Sequence, residues 1–295
     1  MRNKIFLIFI LIGCIFLNAC SAPEHYEVRK DLSVYFSNAD TVIAAVRNSL
    51  RKHDTKIIIN YTSHSDNMQD IGTLVRELMQ YALAETENPE EGDYIFHQYG
   101  GYEMQYRYEI QNQDYCYEIE IIPDYYTTPE QEREVSQQIQ EIIRNLDFRK
   151  TTSEYEKIRK IYQYVYDTVD YDLIHKKNNY YHLKSTAYGA LKYHHAVCQG
   201  YAVLLYRLFR ETGIDTRIIT GTAQLPDGDT EFHAWNIVRI DDLYYNLDIT
   251  WDKQMQTETY FLKSDQNFSS HIRDENYASE VFYQLYPMAD QDYSC

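Results

Sequence analysis

Three short segments inside residues 191–253 decide how this chain reads. They are His194-His195-Ala196-Val197-Cys198-Gln199-Gly200-Tyr201-Ala202, Glu231-Phe232-His233-Ala234-Trp235-Asn236 and Tyr245-Asn246-Leu247-Asp248-Ile249-Thr250-Trp251-Asp252. In that order they supply a thiol, an imidazole and a carboxylate, the groups that make and orient a sulfur nucleophile. Beyond Cys198, Val203, Leu204, Leu208 and Phe209 recur at helical spacing, and the run ends near Gly213, a usual residue just past a helix end. The spacing predicts a helix beginning at Cys198, where unpaired backbone N–H groups and the helix dipole favour an anion. Gly200 removes bulk one step beyond, which leaves room for a substrate to approach.

The histidine and aspartate read as parts of one β-hairpin. Residues 232–240 are strand-like, Asp241-Asp242 is the turn, and residues 243–249 return. A two-residue turn sets Ile240 against Leu243 and His233 against Thr250. Asp248 is then the diagonal neighbour of His233 on the same face. A slip of one residue would separate them. Trp235 shares the face of His233 and is placed to shield the pair from water.

These residues resemble the transglutaminase-like branch of the papain-fold thiol enzymes. The resemblance rests on Val197-Cys198-Gln199-Gly200-Tyr201-Ala202, His233-Ala234-Trp235-Asn236 and Asp248-Ile249-Thr250-Trp251. It continues upstream through Ser185-Thr186-Ala187-Tyr188-Gly189-Ala190-Leu191, and downstream to Tyr260-Phe261-Leu262, Ser264-Asp265 and His271. It covers roughly the C-terminal half, and three ordered motifs are far more specific than one. The resemblance implies an α+β chain whose C-terminal core packs a cysteine-bearing helix on an antiparallel sheet. It implies Cys198 as nucleophile, His233 as general base and acid, and Asp248 as orienting group. It implies acyl transfer through a thioester, on peptide or glutamine-type amides; no segment resembles a calcium loop, so no metal and no cofactor are expected. The backbone N–H of Cys198 is a natural oxyanion donor. A side-chain donor is not evident, because Lys192 stands where papain-like enzymes have an upstream glutamine. Gln199, Gly200, Tyr188 and Trp235 are the remaining cleft candidates. Family membership sets the chemistry better than the substrate, so a binding or scaffold protein on the same fold stands as the alternative. A metal site built from His194, His195 and Cys198, completed by His233 or His271, lacks the second half of a standard zinc motif.

The chain opens with Arg2 and Lys4, an apolar run over residues 5–17, and Leu17-Asn18-Ala19-Cys20. The run is too short for an ordinary membrane span, and its end resembles a bacterial lipobox. Residues 1–19 are thus expected to be a lipoprotein signal peptide, Cys20 the lipidated residue, and residues 20–25 a tether. The protein would be extracytoplasmic and held on a bacterial membrane by lipid. Loss of Arg2 and Lys4 leaves 26 of 28 basic residues against 45 acidic ones, a net charge of −19. That balance argues against nucleic acid as a partner; a protein or peptide substrate is what the resemblance implies. Of the other cysteines, Cys116, Cys198 and Cys295 stay in such a mature chain. Three do not make a disulfide framework, although Cys116 and Cys295 are free to pair.

Residues 26–150 read as a separate α+β domain, and residues 151–295 as the transglutaminase-like domain. Val42, Ile43, Val46 and Leu50 form one helical stripe, and Ile71, Leu74, Val75 and Leu78 another. Residues 56–61 form a strand. Residues 102–110 and 115–122 form a hairpin with tyrosines on one face and charges on the other. The chain holds 31 tyrosines, which suit a core with hydroxyls at its rim, or a flat binding platform. Thr128-Pro129-Glu130-Gln131 and Ser153-Glu154-Tyr155-Glu156 are capping boxes that start two helices. The break between domains is expected near residues 147–152. Leu173 to Lys184 has the mixed composition of a loop, and Tyr260-Phe261-Leu262 reads as a short strand.

Overall fold

The computed structural model describes residues 8–9, 32, 35–65, 70–149, 151–225 and 228–294. The expected leader cleavage site, Cys20, the tether and Cys295 lie outside these residues. The fold is α+β. Among the described residues no helix is long and apolar enough to cross a membrane.

Two compact units divide the chain. One contains residues up to Glu85 together with Tyr99–Tyr125; the other contains Thr86–Gln98 and Tyr126 onward. The break thus falls at 125/126, not at 147–152, and a short upstream segment joins the second unit. The reason is the apolar stripe of the helix Pro129–Leu146. Its Val135, Ile139 and Ile142 are buried in the core that holds Tyr201, Leu205 and Phe209.

In the first unit, Ile57–Ser63 alternates strictly between buried and exposed residues. It pairs antiparallel with Asp114–Tyr125, which pairs in turn with Tyr99–Gln111. Ile8–Phe9 runs antiparallel beside that last strand. Tyr61, Tyr106 and Tyr117 are all buried. The Tyr61 and Tyr117 rings stack at 5.8 Å. The tyrosine face is therefore a core, as period-2 patterning of a one-sided sheet requires. The helices Ala39–Arg51 and Ile71–Ala82 bury Ile43, Val46 and Leu50, and Leu74, Val75 and Leu78. Arg47 joins them by donating to the carbonyls of Ala82 and Tyr81 at 3.1 and 2.6 Å.

The second unit begins its main helices where the capping boxes stand. Thr128 opens Pro129–Leu146 and Ser153 opens Glu154–Thr168, each with both reciprocal bonds formed. The helix Cys198–Glu211 is buried along nearly its whole length. It packs on a four-stranded antiparallel sheet of His271–Arg273, Thr216–Gln224, Thr230–Ile240 and Leu243–Leu247, in that order. Asn236 Nδ2 donates to the Ala202 carbonyl at 3.0 Å and ties sheet to helix. One sequence expectation differs from this topology. Tyr260-Phe261-Leu262 is not a strand; only an isolated bridge joins Lys263 to Asn246. The edge strand is instead His271–Arg273. It sits there because Gly221 has no side chain: a Cβ at Gly221 would lie 2.1 Å from the Ile272 carbonyl oxygen.

Candidate active site

Cys198 is the first residue of its helix. The chain reaches it through a two-residue parallel bridge, in which His195 and Ala196 pair with Asp170 and Tyr171. Val197 then donates its N–H to the Lys184 carbonyl at 3.0 Å. Gly200 allows this close approach: a Cβ there would lie 2.7 Å from the Lys184 oxygen and 2.9 Å from the Ala196 Cβ. Gly200 is itself buried. Its small size serves the packing of the Lys184 backbone. Cys198 is half-buried and carries no disulfide. Its N–H lies in the first helical turn, where backbone donors have no intrahelical acceptor.

His233 lies on the strand Thr230–Ile240, in register with Gly221. Cys198 lies near enough to strengthen its hold on a proton. The imidazole Nε2 lies 2.8 Å from Asp248 Oδ2, which leaves Nδ1 for the sulfur. Thiol, imidazole and carboxylate are thus brought together in one place. Asp248 reaches this place by a route the hairpin parity did not foresee. Ile240 does face Leu243, but the return strand ends at Leu247. Asp248 leaves the sheet and caps the helix Ile249–Met255, its Oδ1 accepting from the N–H groups of Thr250 and Trp251 at 3.0 and 3.1 Å. One carboxylate oxygen holds the helix, and the other holds the imidazole.

Both members of the pair are buried. Burial alone would discharge His233, but the Asp248 carboxylate and its hydrogen bond, with Cys198, outweigh that and raise His233 to about 10. Burial likewise opposes the charge on Asp248, yet His233 and His271 hold its carboxyl far below the usual range. Each charge is tolerable in the interior because the other is there. Aromatic rings wall the pair off from water. Trp235 lies 6.2 Å from the His233 ring at a 19° tilt, and Trp251 lies 5.6 Å away. Trp235 is anchored by its indole N–H to Asn246 Oδ1 at 3.2 Å.

The other cleft candidates have different occupations. Gln199 donates its side-chain amide to the His97 carbonyl. Tyr188 is a core residue, edge-on to Tyr193 at 6.1 Å. The Gln199 amide is thus already spent on a backbone carbonyl. His194 is the left-handed cap of the helix Ala187–Tyr193, and His195 faces the Tyr193 carbonyl through Nδ1 at 2.8 Å. Among the described residues, the group able to hold a metal ion is His233, Asp248 and His271, with ligand atoms within 4.8 Å of one another. Both imidazole Nε2 atoms already meet the same carboxylate oxygen at hydrogen-bond length.

The loop after Tyr171 is tied down beside the site. Lys184 Nζ donates to the carbonyls of His175, Lys176 and Asn178 at 3.0, 3.0 and 2.7 Å. Lys176 Nζ bonds Glu231 Oε2 at 3.0 Å, two residues before His233. Sequence reading named His271 only as part of a resemblance and as a candidate ligand of a metal site. Its place against Asp248 depends on the edge strand, for which a three-residue segment carries no periodic signal.

Residues 140–249 match the model of the transglutaminase-like superfamily. That span holds Cys198, His233 and Asp248, and ends before His271. Among solved structures, a crystal structure of a TGase is similar at 21% identity over 52% of this chain and 45% of that one, with a TM-score of 0.36. A candidate cysteine protease from Cytophaga hutchinsonii is similar at 18% identity over 54% of this chain and 56% of that one, with a TM-score of 0.29. The match spans about half the length of each of these chains. A search of the curated proteins finds no significant match.

Proposed function

Because residues 140–249 belong to the transglutaminase-like superfamily, we propose that this protein is a thiol enzyme acting on peptide or glutamine-type amide bonds, held outside the cytoplasm by lipid on Cys20. The observation that carries the reading is the buried His233–Asp248 pair beside Cys198, with imidazole Nε2 committed to the carboxylate at 2.8 Å. That arrangement presents the other ring nitrogen to sulfur in a fixed orientation. His233 holds the proton of the Cys198–His233 couple, which leaves the sulfur as a thiolate beside an imidazolium. The thiolate adds to the amide carbonyl, and the backbone N–H of Cys198 binds the oxyanion. His233 returns the proton to the leaving amine, and a thioester remains on Cys198. Water resolves it in hydrolysis, a second amine in transamidation; access of water to the thioester decides between them.

The test is the pH dependence of Cys198 alkylation by iodoacetamide, in the chain from Cys20 onward and in its His233→Ala form. Rapid labelling that persists well below pH 8 and collapses in the variant supports the reading. Slow labelling that ignores the variant rejects it, and favours a binding or scaffold role on the same fold. Anchoring is tested separately: incorporation of labelled palmitate in a bacterial host should vanish in Cys20→Ala. Incorporation that survives the substitution removes the lipoprotein assignment.

A further inference from the structure

We propose that His271 is a positioning residue of this site: it donates a second N–H to Asp248, fixing the carboxylate on His233, while Ser270 sets the ring tautomer that makes this possible. The proposal rests on the thiol-enzyme reading above, because it concerns what orients His233.

The geometry is specific. His271 Nε2 lies 2.9 Å from Asp248 Oδ2, the same oxygen that meets His233 Nε2 at 2.8 Å. On the far side of the His271 ring, Nδ1 lies 3.0 Å from Ser270 Oγ. A carboxylate only accepts, so Nε2 must carry a proton. A hydroxyl can donate, so Nδ1 can remain a bare acceptor and the ring can stay neutral. Burial favours that neutral form, and His233 close by opposes a second positive charge, while Asp248 pulls the other way; the net direction is downward. The polar and titratable groups facing His271 are Asp248, His233, Ser270 and Tyr260.

Asp248 then has all four of its lone-pair positions used: two backbone N–H groups on Oδ1 and two imidazole N–H groups on Oδ2. A carboxylate so bound has one rotamer and stays ionised. The two histidines differ in what they give it. His233 can bring a proton that moves with the chemistry; His271 brings a donor without a competing charge. The ring is held for that task by Phe268, stacked at 4.0 Å, and by Trp251 and Trp235 at 4.6 and 5.1 Å.

The experiment compares His271→Gln, whose amide can still donate near the Nε2 position, with His271→Leu, which fills space and donates nothing. Each is run through the iodoacetamide pH profile beside wild type and His233→Ala. Leucine should lower the labelling rate below neutral pH by roughly tenfold or more, the scale seen when outer partners of a functional imidazole are removed. Glutamine should recover most of it. Equal profiles for leucine and wild type, while His233→Ala is impaired, overturn the inference and leave the thiol-enzyme reading standing. Equal profiles for all four overturn both. If His271→Leu fails to fold, nitrogen-15 imidazole NMR of the wild type decides. A protonated Nε2 with a bare Nδ1 supports the assignment; the opposite tautomer, or a metal on either Nε2, overturns it.

Discussion

Asp248 does two jobs with two oxygens, and substitutions should separate them. Asparagine keeps an oxygen for the helix cap but turns an amide donor toward two imidazole donors, so His233 loses its orientation. Turnover on an amide substrate in Asp248→Asn should fall by roughly 10³- to 10⁴-fold, as when the orienting carboxylate of a serine triad is amidated. Asp248→Ala should lose the same activity and also the cap, standing below Asp248→Asn by about 1 kcal/mol in urea unfolding. Gly200 is constrained from a different side. A methyl group there meets a backbone carbonyl at 2.7 Å, so one backbone segment must shift. Gly200→Ala should therefore cost about 1–3 kcal/mol of stability, the usual range for overpacking. An unchanged urea midpoint would show that the helix start can shift to accept it.

At the scale of elements, the site is made by ends more than by middles. Cys198 starts a helix, Asp248 caps another, and His271 starts a short edge strand. The loop from Asp172 to Asn178 is held as an element by one side chain, since the Lys184 ammonium spends its three donors on three loop carbonyls. Replacing Lys184 with methionine keeps the stem and removes all three bonds. Limited proteolysis within residues 173–181 should then become faster while the global urea midpoint moves little, because local opening draws on few buried contacts. Protection equal to that of the wild type would mean that Asp172, which accepts from the His175 N–H at 2.9 Å, holds the loop without help.

For the whole molecule, the buried His233–Asp248 pair links stability to pH. His233 rises from 6.5 to about 10 on folding, as Asp248 and Cys198 overcome its burial. A base that binds its proton more tightly when folded gives its full stabilisation below about pH 6.5 and loses it as pH climbs through 10. Asp248 is the reverse case: lowered on folding from 3.8, it stabilises fully above that value and fails only in acid. Below pH 6.5 two further groups oppose each other. Burial lifts the Asp252 carboxyl to about 6, and burial lowers His97 to about 4. The first loses its stabilisation as pH rises through 6; the second loses its own as pH falls through 4. The alkaline limb is thus the clean test. The urea midpoint should decline between pH 6.5 and 10, and His233→Ala should flatten that decline. A slope unchanged in the variant would place the linkage elsewhere.

Much of this was legible in the sequence, because it depends on near neighbours. The helix at Cys198, the two capping boxes, the hairpin turn and the tyrosine alternation are each encoded within a few residues. So is the order of Cys198, His233 and Asp248, which the motifs carry whatever path the backbone takes between them. Other features were decided only by tertiary packing. Residues 86–98 and the helix Pro129–Leu146 join the second unit because of the core available to them, not because of their own pattern. Gly200 is small for the sake of a carbonyl sixteen residues upstream. Asp248 turns out of the sheet, and His271 meets it from an edge strand 23 residues further on. A periodic pattern tells a segment which face to bury; it does not say which distant segment will cover that face. The second histidine on one carboxylate oxygen is a product of that later choice, since its position follows from how the edge strand docks at Gly221 and how the rings around it close.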